Sequence, residues 1–202
     1  MQFSTGEFLA KAIEVLVGFF SKGDKLELNV EVPIPAPAAP VVEAPAPIEK
    51  PSAGSATIDW TDPTCKVSKY FTVREMLYLP TWKRLANESD GLNEDIKQNL
   101  IHLGQKMDTV REYFDKPINV HVTYRPEEYN KEIGGALHSA HSDGQAMDFD
   151  IVGMTCDEVR NELVGKNLLD QWAMRCEKAP GTNWVHLDYR ALKPGGNRYF
   201  IP

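Results

Sequence analysis

Cysteine is scarce in this chain. Cys65, Cys156 and Cys176 are the only three in 202 residues, they lie far apart, and no CxxC spacing occurs. That pattern excludes a disulfide framework and a cysteine-ligated zinc site, and it suits buried thiols in a protein folded in a reducing cytosol. Clustered basic charge is missing as well. With 22 Lys and Arg against 29 Asp and Glu the net charge is −7, and no basic stripe that could neutralise phosphates is visible, so nucleic acid is not an expected partner. Long apolar runs are also lacking. The most apolar stretch, residues 15–20, sits in MQFSTGEFLAKAIEVLVGFFSKGD, where Glu7, Lys11 and Glu14 interrupt it, no basic segment precedes it and no small-residue cleavage site follows. The expectation is synthesis in the cytoplasm without a signal peptide, no bilayer span, and no direct membrane contact. Composition is otherwise globular, with 42% hydrophobic and 25% charged residues, and the length holds one domain plus an appendage.

The appendage comes first. Ser4 and Glu7 have capping-box spacing, and Phe8, Leu9, Ala12, Ile13, Leu16 and Phe20 recur at helical intervals, predicting an amphipathic helix within residues 1–24. Its apolar stripe needs a cover, which could be the main domain or a membrane surface, but the expected cover is a protein partner or a second copy of the helix. KLELNVEV alternates at period two and reads as a short strand or extended arm. Residues 33–56 hold half of the 14 prolines; each removes a backbone donor and pins φ, so the segment reads as an extended spacer that cannot build a core. The predicted organisation is a docking helix over 1–24, an arm and Pro/Ala-rich linker over 25–57, and a globular domain over 58–202.

Within that domain FTVREML predicts a helix capped by Thr72. Residues 92–114 place Ile96, Leu100, Leu103, Met107, Val110 and Phe114 on one face of a long helix. KPINVHVTYR alternates as a strand, EEYNKEIGGAL is a short helix ended by Gly134 and Gly135, AMDFDIVG is a strand, and TCDEVRNELVGKN is a helix starting at Thr155. LLDQWAMRC fits helix or strand, and NWVHLDYR alternates as a strand. The fold class is α+β, with helices packed on a small, mostly antiparallel sheet.

HSAHSDGQAMDFD, residues 138–150, carries the candidate chemistry. Gly144 lets a loop with His141 fold back beside a strand holding Asp148. In NWVHLDYR, period two puts Trp184, His186 and Asp188 on one face and Val185, Leu187 and Tyr189 on the other. Two imidazoles and one carboxylate would leave a tetrahedral zinc an open fourth position, the arrangement of catalytic sites. Asp188 reads equally as a group that orients a ligand imidazole or as a surface aspartate. His138 reads as a loop residue and His121 as an exposed strand residue.

The stretch INVHVTYRPEEYNKEIGGALHSAHSDGQAMDFDI resembles the core of the M15 metallopeptidases, the zinc D-alanyl-D-alanine carboxypeptidase and endolysin family. Ser139, His141, Gly144, Ala146 and Asp148 fill the pattern SxHxxGxAxD, and FTVREML and WVHLDY fall in family order, so the likeness spans residues 66–190. The resemblance implies a hedgehog/DD-peptidase-like fold, a zinc ion held by His141, Asp148 and His186, and peptidoglycan stem peptides as substrate. It implies that Arg125 lies near the site, where it could hold a substrate carboxylate or form a structural ion pair. Many members place Glu or Asp three residues before the last histidine. Here that residue is Asn183, which cannot accept a proton. A subgroup instead has a DQ pair and then a Glu before WVH, matched by Asp170, Gln171 and Glu177. If residues 170–177 form a strand antiparallel to 184–190, Glu177 reaches the metal from the neighbouring strand, making it the expected general base. The alternative is an M15-like module impaired at Asn183 that serves a structural or wall-binding role. With no wall-binding repeat visible, the helix and spacer lead to the expectation of a phage virion or cell-envelope assembly as anchor.

Overall fold

A computed structural model describes residues 57–201. The expectations for the docking helix, the arm and most of the linker fall on residues 1–56 and lie outside the described residues. Among the described residues no helix is long and apolar enough to cross a membrane.

Helix α1 (Val73–Leu77) opens at the cap anticipated at Thr72, which forms a full capping box: its side chain accepts from Glu75 N, and the Glu75 carboxylate accepts from Thr72 N. A small hairpin of β1 (Tyr78–Leu79) and β2 (Arg84–Leu85) follows. Helix α2 (Glu94–Phe114) is capped by Asn93 and buries Leu100, Leu103, Met107 and Val110, the stripe read from its periodicity. Gly104 on that stripe lets α2 approach the N-terminal segment closely, because a Cβ there would lie 3.0 Å from Ser68 Cβ.

The remaining elements are β3 (Ile118–Val122), α3 (Glu127–Glu132), β4 (Ala146–Ile151), α4 (Cys156–Gly165), α5 (Leu168–Gln171), β5 (Arg175–Glu177), β6 (Val185–Asp188) and β7 (Tyr199–Phe200). They build a five-stranded sheet in the order β3-β4-β6-β5-β7, antiparallel except for the last pair. The α+β class with a mostly antiparallel sheet therefore stands. One face of the sheet sends Met147, Phe149, Ile151, Cys176, Val185 and Leu187 into a core shared with α1, α2 and α4. The other face carries the chemistry.

Two expectations need correction. LLDQWAMRC is neither all helix nor all strand: α5 stops at Gln171, Ala173 turns the chain at φ +50, and only 175–177 pair with β6, so the strand expected over 170–177 is three residues long. His121 is not an exposed strand residue. It is half-buried, and its Nε2 lies 2.7 Å from Asp150 Oδ2, a carboxylate that also accepts from Asn119 Nδ2 at 2.9 Å.

Candidate metal centre

Three elements converge on one spot. Asp148 on β4 stands directly opposite His186 on β6, and in an antiparallel pair facing side chains on one surface start about 5 Å apart. His141 arrives from the turn before β4. Gly144 makes that turn at φ +69, where its N–H donates to the His141 carbonyl and a Cβ would meet Ile96 O at 3.1 Å. Ser139 Oγ accepts from His141 N at 3.3 Å. The exit of β3 holds the other side: Tyr124 N donates to Met76 O and Thr123 Oγ1 to Glu75 O, fixing the segment to α1, while Arg125 N donates to His141 O. The motif residues thus shape one turn and lock it to the first helix.

The three candidate ligand atoms are His141 Nε2, Asp148 Oδ1 and His186 Nδ1, separated by 3.2, 3.2 and 2.8 Å. A tetrahedral ion with bonds of about 2.0–2.1 Å has donor–donor edges of roughly 3.3 Å, so the spacing fits such an ion. The chemistry of the donors fits too. His141 Nδ1 donates to Thr123 O at 2.7 Å, which leaves a lone pair on Nε2. His186 Nε2 lies 3.4 Å from Asp188 Oδ2, a carboxylate that favours a proton on Nε2 and so a free lone pair on Nδ1. Two lone pairs and a carboxylate oxygen in mutual contact repel one another unless a cation sits among them. His141 is fully buried and His186 nearly so.

Without a metal, a proton has to serve. Burial works to lower the His186 pKa, but hydrogen bonds to Asp148 and Asp188 overcome it and push it up to about 9. Burial wins at His141, whose pKa is lowered despite Asp148 beside it. Burial would raise the Asp148 pKa, yet the two imidazoles hold it far below the usual carboxylate range.

Asp188 is not a surface aspartate. It is fully buried, and its carboxylate accepts from Arg175 Nε and Nη2 at 2.8 and 2.7 Å and from Arg190 N at 3.0 Å. Burial opposes its ionisation, but His186 and Arg175 hold its pKa well below the normal range. Asp188→Asn is expected to loosen the His186 ring and weaken metal affinity about 10–100-fold, as loss of such partners does elsewhere, measured by competition with a chromogenic chelator. Unchanged affinity would return Asp188 to a purely structural role.

Beside these ligands lies a cavity of about 720 Å³ lined by Asp148, His186, Arg125, Glu177, Trp184 and Phe200, among others. The β5–β6 register pairs Arg175 with Asp188 and Cys176 with Leu187, so its next step sets Glu177 across from His186 on the metal face. Arg125 Nη2 comes no nearer than 4.0 Å to Asp148 Oδ2, and its buried Nε has no partner among the described residues. Burial lowers its pKa against the pull of Asp148. Asn183 is exposed and is not among the residues that line the cavity.

Sequence reading missed several residues here. Arg175 was within reach, since period two from Glu177 puts it on the same face. Arg160 on α4 was not: it is almost wholly buried and donates to Asp157, Thr182 Oγ1 and the Trp184 carbonyl, pinning the turn that feeds β6. Nothing in TCDEVRNELVGKN distinguishes it from an exposed cation.

The α+β domain thus presents a His, Asp, His cluster that can hold a metal ion, at the edge of a cavity lined also by Glu177 and Arg125. A family model described as Peptidase M15 matches residues 69–188, more than half of the chain, and the chain belongs to that family. No curated protein matches it.

Proposed function

We propose that the chain is a zinc peptidase that cleaves the peptide stems of bacterial peptidoglycan. The observation that supports this most is the meeting of three metal-type donors, two of them imidazoles, beside a cavity that also holds Glu177 and Arg125. Two imidazoles with one carboxylate favour zinc over magnesium or calcium. Bound there, zinc supplies Lewis acidity toward a carbonyl and toward water.

The protein's own groups do the rest. Arg125, with donors to spare, binds a carboxylate of the peptide and sets the scissile bond over the metal face. Glu177 takes the proton from the attacking water and passes it to the leaving amine nitrogen, so the C–N bond breaks without expelling an unprotonated amide. Asp188 and Thr123 O keep the two rings turned. Residues 1–24 fasten the domain to a phage virion or cell-envelope assembly, so the enzyme works at high local concentration on the wall.

The test is release of new amino termini from purified peptidoglycan by the full chain. Zinc-dependent release, abolished by chelator and restored by zinc, is the expected result. The second reading, an impaired M15 module in a structural or wall-binding role, draws on Asn183 alone. Metal retention without any turnover would favour it and overturn the peptidase.

A further inference from the structure

The family match ends at Asp188, but the structure does not. Residues 189–201 return to the sheet, where β7 pairs in parallel with β5. Cys176 N donates to Arg198 O at 2.7 Å, Lys178 N to Phe200 O at 2.6 Å, and Arg198 Nε to Asp170 Oδ1 at 2.6 Å. The tail is therefore built in. Its return adds Arg190, Lys193, Phe200 and Ile201 to the lining of the cavity that Asp148 and His186 also line.

Charge in that lining runs against the rest of the molecule. The chain carries −7 overall, yet the cavity is lined by Arg125, Arg175, Arg190 and Lys193 against the carboxylates of Asp148 and Glu177. Arg175 is taken up by Asp188 and by the Phe200 ring, 4.6 Å from its guanidinium carbon. Asp148 belongs to the candidate metal cluster. Among the lining carboxylates Glu177 is then the one left to offset Arg125, Arg190 and Lys193, and a bound dication adds further positive charge.

Arg190 is held without being satisfied. Nη1 donates to His138 O at 2.8 Å, Nη2 is 3.7 Å from an Asp188 oxygen already engaged by Arg175, and the buried Nε has no partner among the described residues. A guanidinium has five donors in a planar fork that matches a carboxylate. Arg125 is in the same condition on a different element. Between such cations the cavity offers apolar surface from Trp184, Phe200 and Ile201, the last of them 76% exposed.

We propose that the C-terminal tail is a specificity element: Arg190, assisted by Lys193, binds a second carboxylate of the substrate in addition to the one assigned to Arg125. The complementary peptide bears two free carboxylates joined by an aliphatic stem. Among wall peptides that is a stem whose diamino acid keeps its side-chain carboxylate, as diaminopimelate does, in preference to one built on lysine. The inference rests on the wall-peptidase reading and narrows its substrate.

The experiment compares three synthetic stem peptides that differ only at the diamino acid: diaminopimelate, diaminopimelate amidated on its side-chain carboxyl, and lysine. With the metal-loaded full chain, kcat/KM for the first is expected to exceed that for the other two by about tenfold or more, the size of effect that a lost polar contact produces. Arg190→Met lowers that ratio, Arg190→Lys preserves part of it, and Lys193→Glu, on an exposed side chain whose replacement leaves the fold intact, also lowers it. Equal rates on all three peptides in the unsubstituted protein overturn the inference while leaving the peptidase reading in place. So does a ratio that stays fixed in both Arg190→Met and Lys193→Glu, or a uniform fall on every peptide. Failure of the metal-loaded chain to cut any of them overturns both.

Discussion

Glu177→Gln is expected to bind metal as the unsubstituted protein does and to hydrolyse peptide about 10²–10⁴ times more slowly, the range for losing a positioned proton carrier. Glutamine keeps the volume and the polar end of the side chain but cannot accept a proton. The fold gives it no reason to fail. Residue 177 is half-buried at the end of β5, and that strand is held by main-chain bonds to β6 and β7 that a side-chain change does not touch. The fall should appear in kcat with little change in KM, because the group acts on the proton and Arg125 on the substrate. A loss smaller than about tenfold would place the base elsewhere. Loss of metal together with activity would make Glu177 a ligand. Asn183, exposed and outside the cavity lining, makes a poor substitute in either case.

How far the sequence speaks depends on whether the signal is local. The long helix α2 was legible because its apolar stripe repeats over 21 residues, and Thr72 as a cap and Thr155 as a helix start were legible because such signals lie within one turn. The metal ligands were different. Asp148 lies 7 positions after His141 and His186 a further 38 positions on, so spacing alone gave only candidates and the family pattern supplied the set. Alternation put Asp188 on the face of His186 but could not say whether that face was covered. It is covered because β6 lies inside the sheet between β4 and β5, and all four of its residues are buried.

The tail was not legible at all. β7 is two residues long, its pairing is parallel, and the partner strand is itself three residues long. No periodicity can register over such lengths, and the Arg198–Asp170 pair that helps fasten it joins residues 28 apart. His121 was misjudged for a similar reason. Its partner, Asp150, belongs to the neighbouring strand, and only the register of β3 on β4 brings them together.

Metal binding should stabilise the domain strongly, and more so as pH rises toward 9. Zinc at 1,000 times its Kd contributes about 4 kcal/mol to the folded state, which for a domain of this size raises Tm by roughly 8–16 °C. The pH dependence follows from the proton that stands in for the metal. The His186 pKa is raised to about 9 by Asp148 and Asp188 against the effect of burial. In the metal-free protein that protonated ring adds stability, fully present below the unfolded value of about 6.5 and lost as pH rises through about 9. Zinc has to displace the same proton, so its apparent affinity should rise about tenfold per pH unit across that window and level off above it. The zinc-induced rise in Tm at fixed metal concentration should therefore grow from pH 6.5 to 9, as scanning calorimetry would show. Asp148→Asn keeps the shape of the side chain but removes the anion that both holds the proton and attracts the metal, so the rise and its pH dependence should shrink together. A zinc effect that is flat in pH, or that survives Asp148→Asn intact, would mean that the metal binds somewhere other than among these three residues.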